Sequence, residues 1–361
     1  MSQKDVTAMT PSEWIAHIRA EHGLTDTTPY HVPNDWLNSL ISHLPAKDRR
    51  KARKVWNSRQ GRPAYQIYDE LMKTYTEQIE PILQSNERQV FLETNFAVFP
   101  THQFNGYAGF TPRGDRVIIL HQALGVTLNF WSFWYLRVFE EGNNYLTDNP
   151  VRLAETCKYI MRVWNGLQTI TPLPDIYPRT NDSWELSETM TLSAISFVLG
   201  HELGHVLHNH TSYTNNRDAN HAMEFEADQI GLSIAIRHSM IKSMSLKQDN
   251  YFAKFGLFAP LFALSVMSIF GDTPTNTHPS PTQRKEKLLL AYRDIFSDIF
   301  DEKDQEIWDW VDENLQRVLE YNSSNLFELM SVMRDITQKI PISPPARDIS
   351  WLTHDIKFTE S

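Results

Sequence analysis

Gly200-His201-Glu202-Leu203-Gly204-His205 is the stretch on which the reading of the whole chain turns. If it is helical, His201 and His205 stand one turn apart and, at ~3.6 residues per turn, project from one face. Their ring nitrogens can then reach a single ion, with the Glu202 carboxylate close enough to take a proton from a water beside it. Residues 191–200, TLSAISFVLG, carry apolar side chains at helical spacing straight into the pair, so a helix is predicted across it. With 14 histidines in 361 residues such a pair can also arise by accident, and further ligands are needed to decide.

A catalytic zinc ion takes three protein ligands and keeps a fourth position open. The metzincin arrangement is excluded, because it needs Gly and His where this chain has His208 and Thr211. His208, His210 and His221 read as exposed or hydrogen-bonded histidines following the first helix. The better third ligand is Glu224, 19 positions after His205 in Met223-Glu224-Phe225-Glu226-Ala227-Asp228, a gap long enough for a loop and a returning helix. On that helix Glu224, Ala227 and Asp228 share a face and Glu226 points elsewhere. Glu224 would complete the ligand set, and Ala227 would let the two helices approach closely. Asp228 would accept a hydrogen bond from the far nitrogen of a ligand histidine and fix its tautomer.

Taken together, His201-Glu202-x-x-His205 and Glu224-x-x-Ala227-Asp228 resemble the gluzincin peptidases with a Glu-x-x-Ala-Asp second motif, the group of the CAAX-prenyl proteases and the Oma-type protease. Thr277-His278-Pro279, with Arg284 six residues after the histidine, is similar to a third element of that group. The resemblance implies that His278 stabilises the tetrahedral intermediate and that Arg284 contacts substrate. A softer likeness lies in Asn105, Gly106, Tyr107 and Ala108, which lead through Pro112 and Gly114 into Arg116-Val117-Ile118-Ile119-Leu120. Turn chemistry followed by a β-branched run predicts a hairpin, and the likeness implies that its edge binds an extended peptide. Gly106 stands where the group has Ala, and Asn215 to His221 lacks the usual Ser-Arg lead-in. A more distant likeness is to the phage-exclusion peptidase Lit.

These readings predict a mainly helical α+β protein. A zincin-like core over residues 86–300 would hold a small antiparallel sheet and two helices carrying the metal ligands. An N-terminal helical region, 1–85, and a C-terminal helical region and tail, 301–361, would flank it. The expected cofactor is one Zn²⁺, and the expected partner is a protein or peptide substrate.

Composition bounds the rest. A chain of 361 residues with 41% hydrophobic content can bury a sizeable core. Cys157 is the only cysteine, so neither an intrachain disulfide nor a thiolate metal cluster can form. The net charge is −10 and the one basic cluster, Arg49 to Lys54, reads as a solvated helix face, which argues against nucleic acid. No apolar leader opens the chain, and a cytoplasmic location is expected. Residues 255–271 are uncharged, which is near the lower limit for a membrane span. Pro260 and the need for the flanking motifs to converge favour a buried core helix instead. Residues 126–141, rich in aromatics, and 301–339 are also expected to be helical.

The mechanism expected is peptide hydrolysis, with the ion activating water and Glu202 as general base and acid. The alternative is a non-catalytic zinc module of the same fold that staples two helices, or a latent protease in which His278 fills the fourth position.

Overall fold

The computed structural model describes residues 6–21, 46–99, 106–121, 180–210, 213–246, 251–268 and 274–295, with scattered positions between 38 and 44, between 124 and 137, and at 309 and 313. Cys157, most of the 126–141 and 301–339 segments and the C-terminal tail lie outside the described residues. The described N-terminal part runs through helices α1 (Pro11–Glu21), α2 (Ala46–Arg59), α3 (Ala64–Ile79) and α4 (Ser85–Leu92) into strands β1 (Asn95–Phe99), β2 (Gly106–Phe110) and β3 (Arg116–His121). Helices α5 (Asn181–Leu207), α6 (Arg217–Leu246), α7 (Tyr251–Ser268) and α8 (Pro281–Ile295) follow. The protein is mainly helical with one small sheet, and the basic cluster of residues 49–54 lies on α2, largely exposed.

β3 is central because its β-branched run can be buried on both sides: Val117, Ile118 and Ile119 are all fully buried. Alternation then sorts the sheet's two faces. Ala97, Phe99, Val117 and Ile119 pack with Trp14, Ile15 and Ile18 of α1. Val98, Ile118 and Leu120 join the main core with α5, α6 and α7. β2 and β3 form the expected antiparallel hairpin, closed by Thr111 and Asp115, whose turn has Gly114 at φ +92. The sheet is not wholly antiparallel, however: β1 pairs parallel to β3, giving the order β1-β3-β2. A parallel partner leaves no turn signature beside it in the sequence, so the expectation of a purely antiparallel sheet is corrected to a mixed one.

α5 is capped by Thr180, whose hydroxyl accepts from the Ser183 amide at 3.1 Å. Its segment Ser183–Leu207 is apolar enough to cross a membrane by length and hydropathy, yet 89% of its 18-residue apolar window is buried within the protein. α7 is apolar too, and its residues from Phe258 to Val266 are buried. α6 returns antiparallel to α5, and the two backbones nearly touch. A Cβ on Gly200 would stand 2.9 Å from the Gly231 Cα, one on Gly204 2.8 Å from the Ala227 Cα, and one on Gly231 2.6 Å from the Phe197 carbonyl oxygen. Glu87 ties α4 to this pair: its carboxylate accepts from the Gln84 amide at 2.8 Å and from Arg237 of α6 at 2.7 Å.

Because the obstacle at position 231 is backbone, Gly231→Ala must push the helices apart. Overpacking at ~1–3 kcal/mol outweighs the ~1 kcal/mol gained in helix propensity. Denaturant titration should show a net loss of ~1–2 kcal/mol at unchanged m-value, and unchanged or raised stability would contradict so close a helix contact.

Candidate metal centre

At this contact α5 and α6 turn their polar residues toward each other. His201 Nε2 and His205 Nε2 lie 3.1 Å apart, and they stand 3.5 Å and 3.4 Å from the Glu224 Oε2 and Oε1 atoms. The two histidines are buried and Glu224 is 0% exposed. All three ligand atoms fall within 4.8 Å of one another. Glu224 Oε2 is buried without a hydrogen-bond partner, which would cost ~1–3 kcal/mol if nothing else approached it. Two imidazoles and a carboxylate with one orphaned oxygen are a donor set suited to a divalent ion such as zinc. Burial and the neighbouring His201 hold His205 down at about 3, so its ring is neutral and its lone pair free to ligate. Burial would raise the Glu224 carboxyl, but the His201, His278 and His205 rings around it hold it below its ordinary value.

Behind His201 stands a charged support. His201 Nδ1 lies 2.9 Å from Asp228 Oδ1, the contact expected from the helical spacing of Glu224 and Asp228. Arg284 of α8 closes on the same carboxylate, its Nε donating to Oδ2 at 2.8 Å and its terminal nitrogen to Oδ1. Burial opposes charge on Asp228, yet the Arg284 guanidinium holds the carboxyl well below the usual carboxylate range. Arg284 is only 5% exposed. Its guanidinium meets both oxygens of Asp228 and lies 3.3 Å from His201 Nδ1, behind the His201 ring.

Glu202 follows His201 on α5 and packs against β2. A Cβ on Gly106 would lie 2.5 Å from its Oε1, so the carboxylate rests directly against the backbone of β2. Tyr107, next on the strand, is pushed up to about 12 by burial and by the charge of Glu202. Ala108 is half-buried on the same strand, which is terminal in the sheet among the described residues. Asn105 lies outside the described residues.

The opposite side holds a residue that spacing did not reveal. The Tyr213 hydroxyl donates to Glu224 Oε1 at 2.8 Å and lies 3.0 Å from His278 Nε2. Tyr213 is 45% exposed, so it bridges the buried carboxylate and the surface. Burial and the Glu224 charge raise its hydroxyl pKa, which keeps it a proton donor. His278 comes to the site on a loop fixed by Thr275, whose hydroxyl accepts from the His278 amide at 2.9 Å while its own amide donates to the His278 carbonyl at 2.8 Å. Ser280 and Gln283 then cap the start of α8 reciprocally. Of the other histidines, His221 lies on α6 with its Nε2 3.0 Å from the Thr275 carbonyl, and His210 reaches both His205 and Glu226.

A family model described as Peptidase U49 matches residues 139–298, which take in α5 and α6 with Glu202, His278 and Arg284. No curated protein and no solved structure matches the chain. The match supports a peptidase, and the His201, His205 and Glu224 group is one that can hold a metal ion.

Burial holds the Glu202 carboxyl up at about 7, against an ordinary 4.5, with the Glu224 charge adding to the rise and His201 opposing it. The folded, metal-free protein thus binds this proton more tightly than the unfolded chain does. The resulting stabilisation is complete below about pH 4.5 and is lost as the pH rises through about 7. Urea titrations from about pH 4 to pH 8 should show metal-free wild type losing ~3 kcal/mol relative to Glu202→Gln. A difference that does not vary with pH would contradict the burial of this group.

Proposed function

We propose that this protein is a zinc-dependent endopeptidase of the gluzincin type, in which His201, His205 and Glu224 hold one Zn²⁺ and Glu202 is the general base. The observation that carries the reading is the buried convergence of the three ligand atoms with Glu202 one residue beyond the first of them. The peptidase match supports the reaction class, and the Glu-x-x-Ala-Asp face supports the gluzincin subclass. When bound, the ion would supply Lewis acidity toward a carbonyl and toward water.

The remaining work belongs to the chain. Glu202, packed against β2 at Gly106, is placed to accept a proton from the attacking water and to return it to the leaving amine. Asp228, locked by Arg284, holds the His201 ring so that its Nε2 faces the ligand cluster. His278 and Tyr213 place two hydrogen-bonding groups beside Glu224 at the solvent side, where they can meet charge that develops on a substrate oxygen. β2, terminal in the sheet among the described residues, runs past Glu202, and an extended peptide added along it would bring a main-chain carbonyl to the site. A purely structural zinc staple would have no use for Glu202, whose burial costs free energy and satisfies no ligand position.

Glu202→Gln should leave the ion bound at one per chain and lower peptide hydrolysis by ~10²-fold or more. Metal analysis of the purified proteins, joined to mass-spectrometric mapping of new protein termini in cells expressing each form, checks both halves. Comparable cleavage by the two forms would refute the role of Glu202.

A further inference from the structure

α5 ends in a second group of ligand atoms that the proposed reaction does not use. Asn209 adopts a left-handed backbone at φ 57, and the His210 amide turns back to donate to the His205 carbonyl at 2.9 Å. The reversal stacks the His208 and His210 rings with centroids 5.4 Å apart and planes inclined by 19°. It also brings His210 Nε2 to 3.2 Å from Glu226 Oε2 on α6, the residue between the Glu224 and Ala227 positions that face the other way. His208, His210 and Glu226 thereby offer three ligand atoms within 4.8 Å of one another. A nitrogen–oxygen separation of 3.2 Å matches the edge of a tetrahedron about an ion with bonds of ~2.0–2.2 Å. Glu226 is 54% exposed at its side chain and His208 is exposed, so such a site would open to solvent and complete its shell with water.

We propose that His208, His210 and Glu226 form an outer, weaker divalent-metal site, and that filling it loosens the ion held by His201, His205 and Glu224. The second half of the proposal rests on the inner-site reading given above. The link is the contact between His205 Nδ1 and His210 Nδ1, 3.2 Å apart, across which only one ring can carry the hydrogen. With the inner ion on His205 Nε2, the hydrogen sits on His205 Nδ1 and points at the bare Nδ1 of His210. His210 then carries its own hydrogen on Nε2, directed at Glu226. An outer ion needs that Nε2 lone pair, so the hydrogen of His210 relocates to Nδ1 and two N–H donors confront each other. His205 keeps its hold on the inner ion only by giving up a hydrogen bond that fixes its ring. Repulsion between two nearby cations adds to the effect.

The test is a Zn²⁺ titration of the metal-free, full-length protein. Wild type should take up one tight equivalent and a second one weaker by about tenfold or more. Transfer of the tight ion to a chromophoric chelator should be about tenfold faster once the second equivalent has been added. His208→Ala and Glu226→Gln, both surface changes, should each abolish the second equivalent while leaving the first in place, with a release rate indifferent to excess Zn²⁺. The glutamine variant keeps an oxygen to accept from His210. Retention of the second equivalent by both variants, or a wild-type release rate that ignores excess Zn²⁺, overturns the proposal. A tight equivalent alone in wild type sinks only the outer site, whereas a missing tight equivalent sinks the inner-site reading and the coupling with it.

Discussion

The backbone contact between α5 and α6 is the constraint on which the rest depends. Gly200 against Gly231 and Gly204 against Ala227 let two helices approach until a single added methyl would strike main chain. With the backbones this close, the Glu224 carboxylate sits within 3.5 Å of both imidazoles on the facing helix. The small residues do not touch the ion position themselves. They set the distance at which His201, His205 and Glu224 meet, and the surrounding apolar core holds that distance.

That proximity gathers charge in a place from which water is excluded, and the structure answers it in two ways. Arg284 neutralises Asp228 outright, which makes the pair a fixed anchor for His201 rather than a reactive group. Glu224 and Glu202 have no such cation among the described residues. Glu224 leans on three imidazoles and Tyr213, and Glu202 is held toward its protonated form by burial. A divalent ion held there would relieve both carboxylates together, and the cluster is one that can hold such an ion.

Much of this was legible in the sequence, for local reasons. His201, His205, Glu224 and Asp228 fall on helix faces that a period of ~3.6 residues predicts, and Ala227 announced a close helix contact. The hairpin was readable from Gly114 and the β-branched run of β3. What stayed hidden depends on distant pairings. β1 joins β3 in parallel with no turn between them. Gly231 looks like a flaw in a helix until Phe197 is seen against it. Arg284 meets Asp228 across 56 residues, so its motif position gave no sign that it faces inward. Tyr213 sits in the loop between the metal helices, where no periodicity applies, and only coordinates bring its hydroxyl to Glu224 and His278. Glycine at position 106, read as a departure from a familiar pattern, lies directly against the Glu202 carboxylate.

The central claim is that three side chains from two helices converge on one ion, and X-ray absorption at the zinc edge tests it directly. Protein loaded with a single equivalent of Zn²⁺ should show a shell of nitrogen and oxygen at ~2.0–2.1 Å with the multiple-scattering signature of two imidazoles. His205→Ala should reduce that signature to one. A wild-type spectrum with no imidazole contribution, or one unaltered by the substitution, would contradict the account.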